Sequence, residues 1–173
     1  QSGILQSARC ETIDPFILIF AQKELGLSPD DLTKILCRES GLKGISGISG
    51  DMRDLHEWDK TGSVRARLAL KAYYYQVRRQ IAAMAASVGG IDALVFTGGI
   101  GENGIIDRWE ICRELGYLGV TLDEEKNNCC PGTEQEISII GSPVSIWVIP
   151  TNEELIVARE IYNLILQGQP EKE

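Results

Sequence analysis

The segment FTGGIGENG, at residues 96–104, limits the folds that this chain can adopt more than any other part of the sequence. It follows the apolar run IDALVF, which predicts a strand over residues 93–96. It precedes IIDRWEICRELG, which predicts a helix from about residue 105 to residue 115. A strand, a glycine loop and a helix in this order are typical of α/β proteins. Because a helix N-terminus exposes amide groups and carries the positive end of the helix dipole, the segment also indicates an anion or nucleotide site.

The glycine segment by itself allows three interpretations. It can be a tight turn that binds nothing, although several glycines aimed at a helix start disfavour this. It can be an NAD-binding turn, because Gly99, Gly101 and Gly104 spell G-x-G-x-x-G and an acid, Asp123, follows about 20 residues later. Against this, Glu102 puts a carboxylate where a pyrophosphate would lie, and the later sequence lacks the further strand–helix units of a doubly wound sheet. The third interpretation is a different kind of nucleotide site.

Composition and charge exclude several classes of protein. The chain has 173 residues, 43% of them hydrophobic, and a formal net charge of -8 at pH 7. Nucleic-acid binding needs a concentrated basic face, so this balance argues against it. No apolar run approaches the roughly 20 residues that span a bilayer, and QSGILQSARCETIDP lacks the basic start and apolar centre of a signal peptide. Five cysteines without a C-x-x-C pair predict reduced thiols in a cytoplasmic protein.

Two short helices are predicted at the beginning of the chain. Asp14 is a good N-cap for the first helix, Pro15 suits its first position, and Gly26 suits its end. The second helix repeats the pattern, with Ser28 as its cap and Gly41 at its end. Both helices are therefore bounded by recognisable signals.

The middle of the chain alternates between a glycine-rich stretch and a long helix. Glycines at every third position of residues 41–50 predict a loop or a short extended segment. A helix is predicted from about residue 63 to residue 88, with Leu68 and Tyr75 on its apolar stripe. His56, the one histidine of the sequence, lies in the polar run RDLHEWDK and is predicted to be a solvated surface residue rather than a catalytic one.

The last third of the chain predicts β structure followed by a helix. YLGVTL predicts a strand at residues 117–122. EISII and VSIWVI predict a hairpin whose strands are joined by Gly-Ser-Pro. A final helix is predicted over residues 151–167. The strands are few for the length of the chain, which predicts that part of a sheet lies outside it.

Four segments of the chain together resemble the acetate kinase family, within the acetate and sugar kinase, heat-shock chaperone and actin superfamily. They are ARCETIDP, GISGISGDMRDL, DALVFTGGIGEN and VIPTNEELIVARE, in this order. The resemblance implies an α/β fold of the actin-like ATPase (ribonuclease H-like) type, with an incomplete mixed sheet flanked by helices. It also implies that residues 1–173 are a C-terminal nucleotide-binding domain and that the N-terminal half of such a kinase is absent.

By this resemblance, the glycine segment is the adenosine-binding element of a kinase. Its backbone lies against the adenine and the α-phosphate side of the nucleotide, and the Asn103 amide can pair with adenine. In a second wall, Asp51 can accept from ribose hydroxyls and Arg53 can stack on adenine. Without the resemblance, Asp51 and Arg53 are as readily a helix-start carboxylate and its surface ion pair. The predicted nucleotide site consists of Asp51, Met52, Arg53, Gly98, Gly99, Ile100, Gly101 and Asn103.

Arg9 matches the family arginine that reaches the transferring phosphoryl group. A fixed guanidinium stabilises the charge that spreads over the equatorial oxygens during phosphoryl transfer, so the resemblance assigns Arg9 a catalytic role. The surroundings depart from the family pattern, which has Thr before this arginine and a small residue followed by Gly after it. This chain has Ala8, Cys10 and Glu11 at those positions.

The segment TNEEL predicts both a helix cap and a metal ligand. Thr151 as N-cap places Glu154 at the third helical position, which predicts a capping box that holds the Glu154 carboxylate on the Thr151 N–H. Glu153 is then free to point outward. Since the family uses a glutamate here near Mg²⁺, the resemblance predicts Glu153 as a ligand of the ion, through water.

The resemblance implies the reversible transfer of the ATP γ-phosphoryl group to acetate, which gives acetyl phosphate. The implied ligands are ATP or ADP with Mg²⁺, and the implied assembly is a homodimer, with the long helix either at its interface or in the core. No segment resembles the N-terminal half of the family, so we predict that this chain alone does not turn over at a useful rate. Two alternatives stay open: a kinase for propionate or a similar short acid, and a non-catalytic nucleotide-binding or interaction module.

Overall fold

The computed structural model describes residues 3–130 and 132–167, and in these residues helices flank a small mixed β-sheet of three strands. The order of elements in the chain agrees with the α/β class predicted above. The elements are α1 (Pro15–Leu25), α2 (Pro29–Arg38), α3 (Gly41–Ser46), α4 (Met52–Lys60), α5 (Val64–Val88), β1 (Ala93–Phe96), α6 (Gly98–Asn103), α7 (Ile105–Cys112), a 3-10 turn (Gly116–Leu118), α8 (Glu124–Asn128), β2 (Gln135–Glu136), β3 (Ser145–Val148) and α9 (Glu153–Gln167).

The first two helices begin at the predicted caps. The Asp14 side chain accepts a hydrogen bond from the Phe16 N–H at 2.9 Å, and α1 ends at Gly26, whose φ is +65°. At the start of α2, the Ser28 hydroxyl accepts from the Asp31 N–H and the Asp31 carboxylate accepts from the Ser28 N–H, which is a capping box. The bounds predicted for the first helix are confirmed.

The prediction that the second helix ends at Gly41 and leads into a glycine-rich loop is wrong. The helix α2 ends at Arg38, and Gly41 begins α3. A Cβ on Gly41 would overlap the Gln6 carbonyl, so the glycine serves a close approach between two segments rather than a helix end. Tertiary packing therefore overrides the low helix propensity of glycine in this stretch.

The N-terminal segment is fixed against the junction of α2 and α3. The Leu42 N–H donates to the Gln6 carbonyl at 2.8 Å, and the Ser40 N–H donates to the Ala8 carbonyl at 3.0 Å. These backbone hydrogen bonds are typical of a segment held in one path rather than left in solvent. As a result, residues 4–7 lie beside the beginning of α4 and form part of the wall of a cavity.

The long helix is confirmed, but its buried face differs from the predicted one. The Ser63 hydroxyl accepts from the Ala66 N–H, and α5 ends at Gly89, whose φ is +83°. Leu68 and Tyr75 are exposed. Apolar residues occur on both sides of α5, so hydrophobicity alone does not select a face, and alanines allow α3 and α4 to approach closely. The buried residues of α5 are Ala66, Ala69, Leu70, Tyr73, Tyr74 and Ala85.

The sheet has the order β1-β3-β2, with β1 parallel and β2 antiparallel to β3. The predicted hairpin is present, although β2 spans two residues only. The strand predicted from YLGVTL is wrong, since this segment forms the 3-10 turn and isolated bridges at Val120 and Leu122. Gly119 adopts a φ of +83°, a left-handed conformation that interrupts an extended chain.

The hydrophobic core lies between the sheet and the helices α3, α4, α5 and α7. Leu55, Ile137 and Ile146 are among its fully buried members. In contrast, every residue at positions 154–165 of α9 is exposed, including Ile156 and Tyr162. Over the described part of the chain, none of the helices combines the length and the hydropathy that crossing a membrane requires.

Candidate functional site

An open cavity of about 1240 Å³ lies between the N-terminal segment, the start of α4, the helix α6 and the start of α7. A cavity of this size can hold a ligand as large as a nucleotide, because small-molecule sites are clefts of several hundred Å³ or more. The cavity brings together the two parts of the sequence assigned to the nucleotide. Six of the eight predicted residues line it, namely Asp51, Met52, Arg53, Gly99, Ile100 and Asn103.

Asp51 and Arg53 form one unit at the beginning of α4. The Asp51 carboxylate caps the helix by accepting from the Arg53 N–H at 2.9 Å, and it accepts from the Arg53 guanidinium through Nε at 3.1 Å and Nη2 at 2.6 Å. The side-chain hydrogen bond from Arg53, followed by the backbone one, lowers the pKa of Asp51 to about 2. The Arg53 side chain is 90% exposed, so the pair contributes little to stability and leaves a cation at the rim of the cavity.

The glycine segment is a short helix, so the prediction of a loop is wrong. Gly98 begins α6 with a φ of +70°, and a Cβ on Gly101 would lie 3.1 Å from the Phe96 carbonyl carbon. Both positions therefore serve the tight turn from β1 into α6, away from the cavity wall. On the exposed side, the Asn103 amide donates to the Gly99 carbonyl at 3.1 Å.

Arg108 is fully buried and holds the end of α6 in place. Its Nη1 donates to the carbonyls of Gly101 at 2.9 Å and Glu102 at 2.7 Å, and its Nε donates to the Asn127 side chain at 2.7 Å. Desolvation lowers the pKa of Arg108, yet an arginine keeps its charge at neutral pH. Arg108 is not among the predicted site residues, although it stands three positions before the buried Ile111, on the apolar stripe of α7.

His56 is not a solvated surface residue, and the prediction that it is one is wrong. Its side chain is 20% exposed, lines the cavity, and bonds through Nε2 to Asp107 Oδ1 at 2.9 Å. The same oxygen accepts from the buried Tyr74 hydroxyl at 2.8 Å. The hydrogen bond to Asp107 raises the pKa of His56. The helical spacing in the sequence indicates this burial, because His56 lies four positions after Met52 and both residues face inward.

The two tyrosines beside this pair are held in the neutral form. Burial, and then the nearby Asp107 charge, raises the pKa of Tyr73 to about 12. The same causes, together with the hydrogen bond to Asp107, raise the pKa of Tyr74. Both tyrosines are buried in the core, and Tyr73 also lines the cavity. At neutral pH, therefore, Tyr74 acts as a hydrogen-bond donor rather than an anion.

Arg9 lies outside the wall of the cavity. Its side chain is exposed, and its guanidinium makes no ion pair with Glu11 or with any other described residue. The neighbouring Cys10 N–H donates to the Leu36 carbonyl at 2.7 Å, which fixes the backbone next to Arg9. The guanidinium is therefore free to reach a ligand, and its catalytic role stays a prediction.

The capping box predicted at Thr151 and Glu154 is wrong. The Thr151 N–H donates to the Glu102 carboxylate at 2.8 Å, and the Thr151 hydroxyl donates to the same oxygen at 3.0 Å. The Asn152 side chain caps α9 instead, accepting from the Leu155 N–H at 3.0 Å. The Glu102 carboxylate is held in position to accept from Thr151, because it also accepts from the Gly98 N–H in the first turn of α6. No local pattern shows that these two segments meet.

The predicted metal ligand cannot be placed, because the side chain of Glu153 lies outside the described part of the structure. Its assignment to Mg²⁺ stays a prediction. Among the described residues, no three His, Cys, Asp or Glu side chains converge to form a metal site.

The sequence matches known proteins over most of its length. The Acetokinase family matches residues 1–159. The acetate kinase of Clostridium botulinum (strain Loch Maree / Type A3) is 46% identical over 159 residues, which cover 92% of this chain and 40% of that protein. The acetate kinase of Dictyoglomus thermophilum is 47% identical over 163 residues, covering 94% of this chain and 41% of that protein. The chain thus spans about two fifths of the length of these curated relatives.

Solved structures give the same picture of the fold. The acetate kinase of Porphyromonas gingivalis superposes with a TM-score of 0.86 at 34% identity, covering 95% of this chain and 41% of that one. A propionate kinase from Francisella tularensis superposes with a TM-score of 0.83 at 37% identity, covering 92% of this chain and 40% of that one. The predicted α/β class, with a small mixed sheet flanked by helices, is confirmed by this likeness and by the observed sheet.

Proposed function

This chain belongs to the Acetokinase family, and on that premise we propose that residues 1–173 are the nucleotide-binding domain of an acetate kinase. The complete enzyme transfers the γ-phosphoryl group of ATP reversibly to acetate and forms acetyl phosphate. The observation that carries the proposal is the single cavity that Asp51, Arg53 and the residues of α6 share. These residues are about fifty positions apart in the sequence, and a shared wall supports their common assignment to the nucleotide.

The wall suits an adenine nucleotide chemically. Met52 and Ile100 supply apolar surface for the faces of the base, and Arg53 can stack on it from the rim. A Cβ on Gly99 would meet no described atom within 4 Å, so the bare backbone there leaves room for close approach by a ligand. The Asn103 amide offers both a donor and an acceptor to the base.

In the proposed reaction, the acetate oxygen attacks the γ-phosphorus in line and ADP leaves. Arg9 stabilises the charge on the equatorial oxygens. Mg²⁺, when bound, neutralises the phosphates, and Glu153 assists in holding it. The acyl site and the remaining catalytic groups belong to the part of the relatives that this chain does not cover. We therefore expect no acetyl phosphate formation above background from the purified chain alone.

Calorimetric titration of the chain with Mg·ADP tests the proposal, with NADH as the control ligand. Saturable ADP binding that is lost in Asn103→Ala is the expected result. Asn128→Ala is the matched control, because Asn128 is also exposed but lies in α8, away from the cavity. Binding of NADH but not of ADP, or ADP binding unaffected by Asn103→Ala, would overturn the assignment.

Propionate is the second candidate for the acyl acceptor, because a propionate kinase has the same fold as this chain over 92% of its length. Steady-state rates of the complete enzyme with acetate and with propionate decide between them. A non-catalytic module is the remaining alternative, suggested by Ala8, Cys10 and Glu11 around Arg9. If the triple change Ala8→Thr, Cys10→Ser, Glu11→Gly brings no gain in rate to the complete enzyme, these residues do not argue for that alternative.

The assembly and the compartment are part of the same proposal. We place the protein in the cytoplasm, where ATP is available and thiols stay reduced, which agrees with five cysteines that are all free. Its partners there are ATP or ADP and the acyl substrate of the complete enzyme, without nucleic acid or a membrane. A homodimer is supported by the exposed Phe16 and Phe20 of α1, and a sedimentation measurement showing a monomer at every concentration would contradict it.

A further inference from the structure

The pair His56 and Asp107 has no part in the nucleotide site assigned above, yet both residues line the same cavity. His56 stands on the first turns of α4, one helical turn beyond Arg53, and Asp107 stands on the first turn of α7. The inference drawn from this pair rests on the proposed function, since it concerns the ligand of the same cavity.

The geometry determines which nitrogen of His56 is available to a ligand. A carboxylate oxygen accepts hydrogen bonds, so Asp107 Oδ1 accepts one from the Tyr74 hydroxyl and one from the N–H at His56 Nε2. The second ring nitrogen, Nδ1, makes no hydrogen bond with any residue in the ranges 3–130 and 132–167. When the ring is neutral, Nδ1 is an acceptor; when it is protonated, Nδ1 becomes a donor.

The charges around His56 favour the protonated ring when an anion is bound. The described lining contains four carboxylates, those of Asp51, Asp54, Glu57 and Asp107, and one guanidinium, that of Arg53. Asp59 and Lys60 also act on His56 from α4, and the neutral Tyr73 and Tyr74 face it from α5. An acidic wall needs added positive charge to hold an anionic nucleotide, and a protonated His56 supplies it.

We propose that His56 is a nucleotide-binding residue whose protonated ring, oriented by Asp107 and Tyr74, donates from Nδ1 to an acceptor atom of the bound adenine nucleotide. The acceptor is a ring nitrogen or hydroxyl oxygen of the nucleoside, or an oxygen of the phosphates. Nucleotide binding therefore takes up a proton from solvent whenever the free protein has a neutral His56. The affinity for the nucleotide therefore falls as the pH rises through the pKa that His56 has in the free protein.

The imidazole resonances of the chain test this directly, because His56 is its one histidine and needs no assignment by mutation. The pKa of His56 is measured by NMR in the free protein, with saturating Mg·ADP and with saturating adenosine. Linkage requires that a ligand favouring the protonated ring raise this pKa, by about one unit for a charge-assisted hydrogen bond. A rise with adenosine puts the acceptor on the nucleoside, and a rise with ADP alone puts it on the phosphates.

A matched pair of variants gives the second readout. His56→Gln is expected to weaken Mg·ADP binding about tenfold at pH 6 and to remove the part of the pH dependence that wild type shows beyond that of ADP itself. Lys34→Gln, which removes an exposed positive charge on α2 outside the cavity, is expected to leave both unchanged.

The outcomes separate this inference from the proposed function. If ADP binds but neither ligand moves the His56 pKa, the inference is wrong while the nucleotide site stands. If wild type binds no ADP at any pH, both are overturned. The measurements on wild type decide the matter even if His56→Gln does not fold.

Discussion

Glu102 and Thr151 join the glycine helix to the beginning of the last helix. One carboxylate oxygen of Glu102 accepts from the Thr151 N–H at 2.8 Å and from the Thr151 hydroxyl at 3.0 Å. The same oxygen accepts from the Gly98 N–H at 2.9 Å, at the first turn of α6. A single side chain thus holds an element of the nucleotide cavity and the segment that carries the predicted metal ligand at a fixed distance from each other.

Glu102→Ala is expected to loosen this connection, because the amides of Gly98 and Thr151 lose their acceptor. Hydrogen exchange at these two amides should become faster than in wild type. Glu102→Gln keeps an acceptor oxygen and should exchange more slowly than the alanine variant. The hydrogen bonds from Thr151, and then from Gly98, lower the pKa of Glu102, so the connection should persist above the usual carboxyl range and weaken as the pH falls through the lowered value. Equal exchange in wild type and Glu102→Ala would contradict this role.

Arg108→Met is expected to be strongly destabilising, since it leaves the buried carbonyls of Gly101 and Glu102 without donors. Urea unfolding should show a loss of several kcal/mol, because each buried acceptor left without a donor costs about 1 to 3 kcal/mol. Arg38→Met, at an exposed position at the end of α2, should stay within about 0.5 kcal/mol of wild type. A small effect at Arg108 would mean that water replaces its hydrogen bonds.

Local signals predicted well the parts of the fold that local chemistry decides. The cap at Asp14, the bounds of α5 and the strand before the glycine segment all followed from residues within a few positions of each other. The resemblance to a family added the assignment of Asp51 and Asn103 to one site. What the sequence could not show are pairings over long separations, such as His56 with Asp107, 51 positions apart. These depend on how α4 and α7 each pack against α5, which no periodicity encodes.

Two glycines of the same segment are expected to respond in opposite ways to alanine. A Cβ at Gly104 would overlap the Asp107 carboxylate and the Ile100 carbonyl, so Gly104→Ala should lose about 1 to 3 kcal/mol of stability and change the NMR titration of His56. At Gly99 a Cβ would meet no described atom, so Gly99→Ala should fold at least as well as wild type. Its methyl group would enter the cavity and weaken ADP binding. An unchanged ADP affinity in Gly99→Ala would remove Gly99 from the nucleotide site.

Substitution of Arg53, in the exposed pair with Asp51, distinguishes a role of Arg53 in nucleotide binding from a role in stability. Arg53→Ala is expected to leave the free energy of unfolding nearly unchanged, because exposed ion pairs contribute little. ADP affinity should nevertheless fall in calorimetry. Arg67→Ala, which breaks the exposed pair with Asp59 outside the cavity, is the control and should leave ADP binding as in wild type. Equal effects of the two variants on ADP would indicate a general loss of positive charge instead.

The free energy of unfolding should depend on pH because of His56. Its pKa is raised in the folded state by the hydrogen bond to Asp107, so the pair stabilises most below the unfolded-state pKa of about 6.5. This contribution is lost as the pH rises through the folded-state pKa. Denaturant unfolding should therefore show a larger difference between wild type and His56→Gln at about pH 5.5 than at about pH 9. A difference that does not vary with pH would mean that the ring acts by packing alone.

The exposure of α9 along residues 154–165 has a consequence that follows from mass action. A helix that buries so little of its apolar surface has a low local free energy of opening. Any molecule that binds only the ordered helix adds to that free energy in proportion to the logarithm of its own concentration. The order of α9 is then a measure of occupancy, and amide exchange along α9 would report the fraction of the protein that has such a molecule bound.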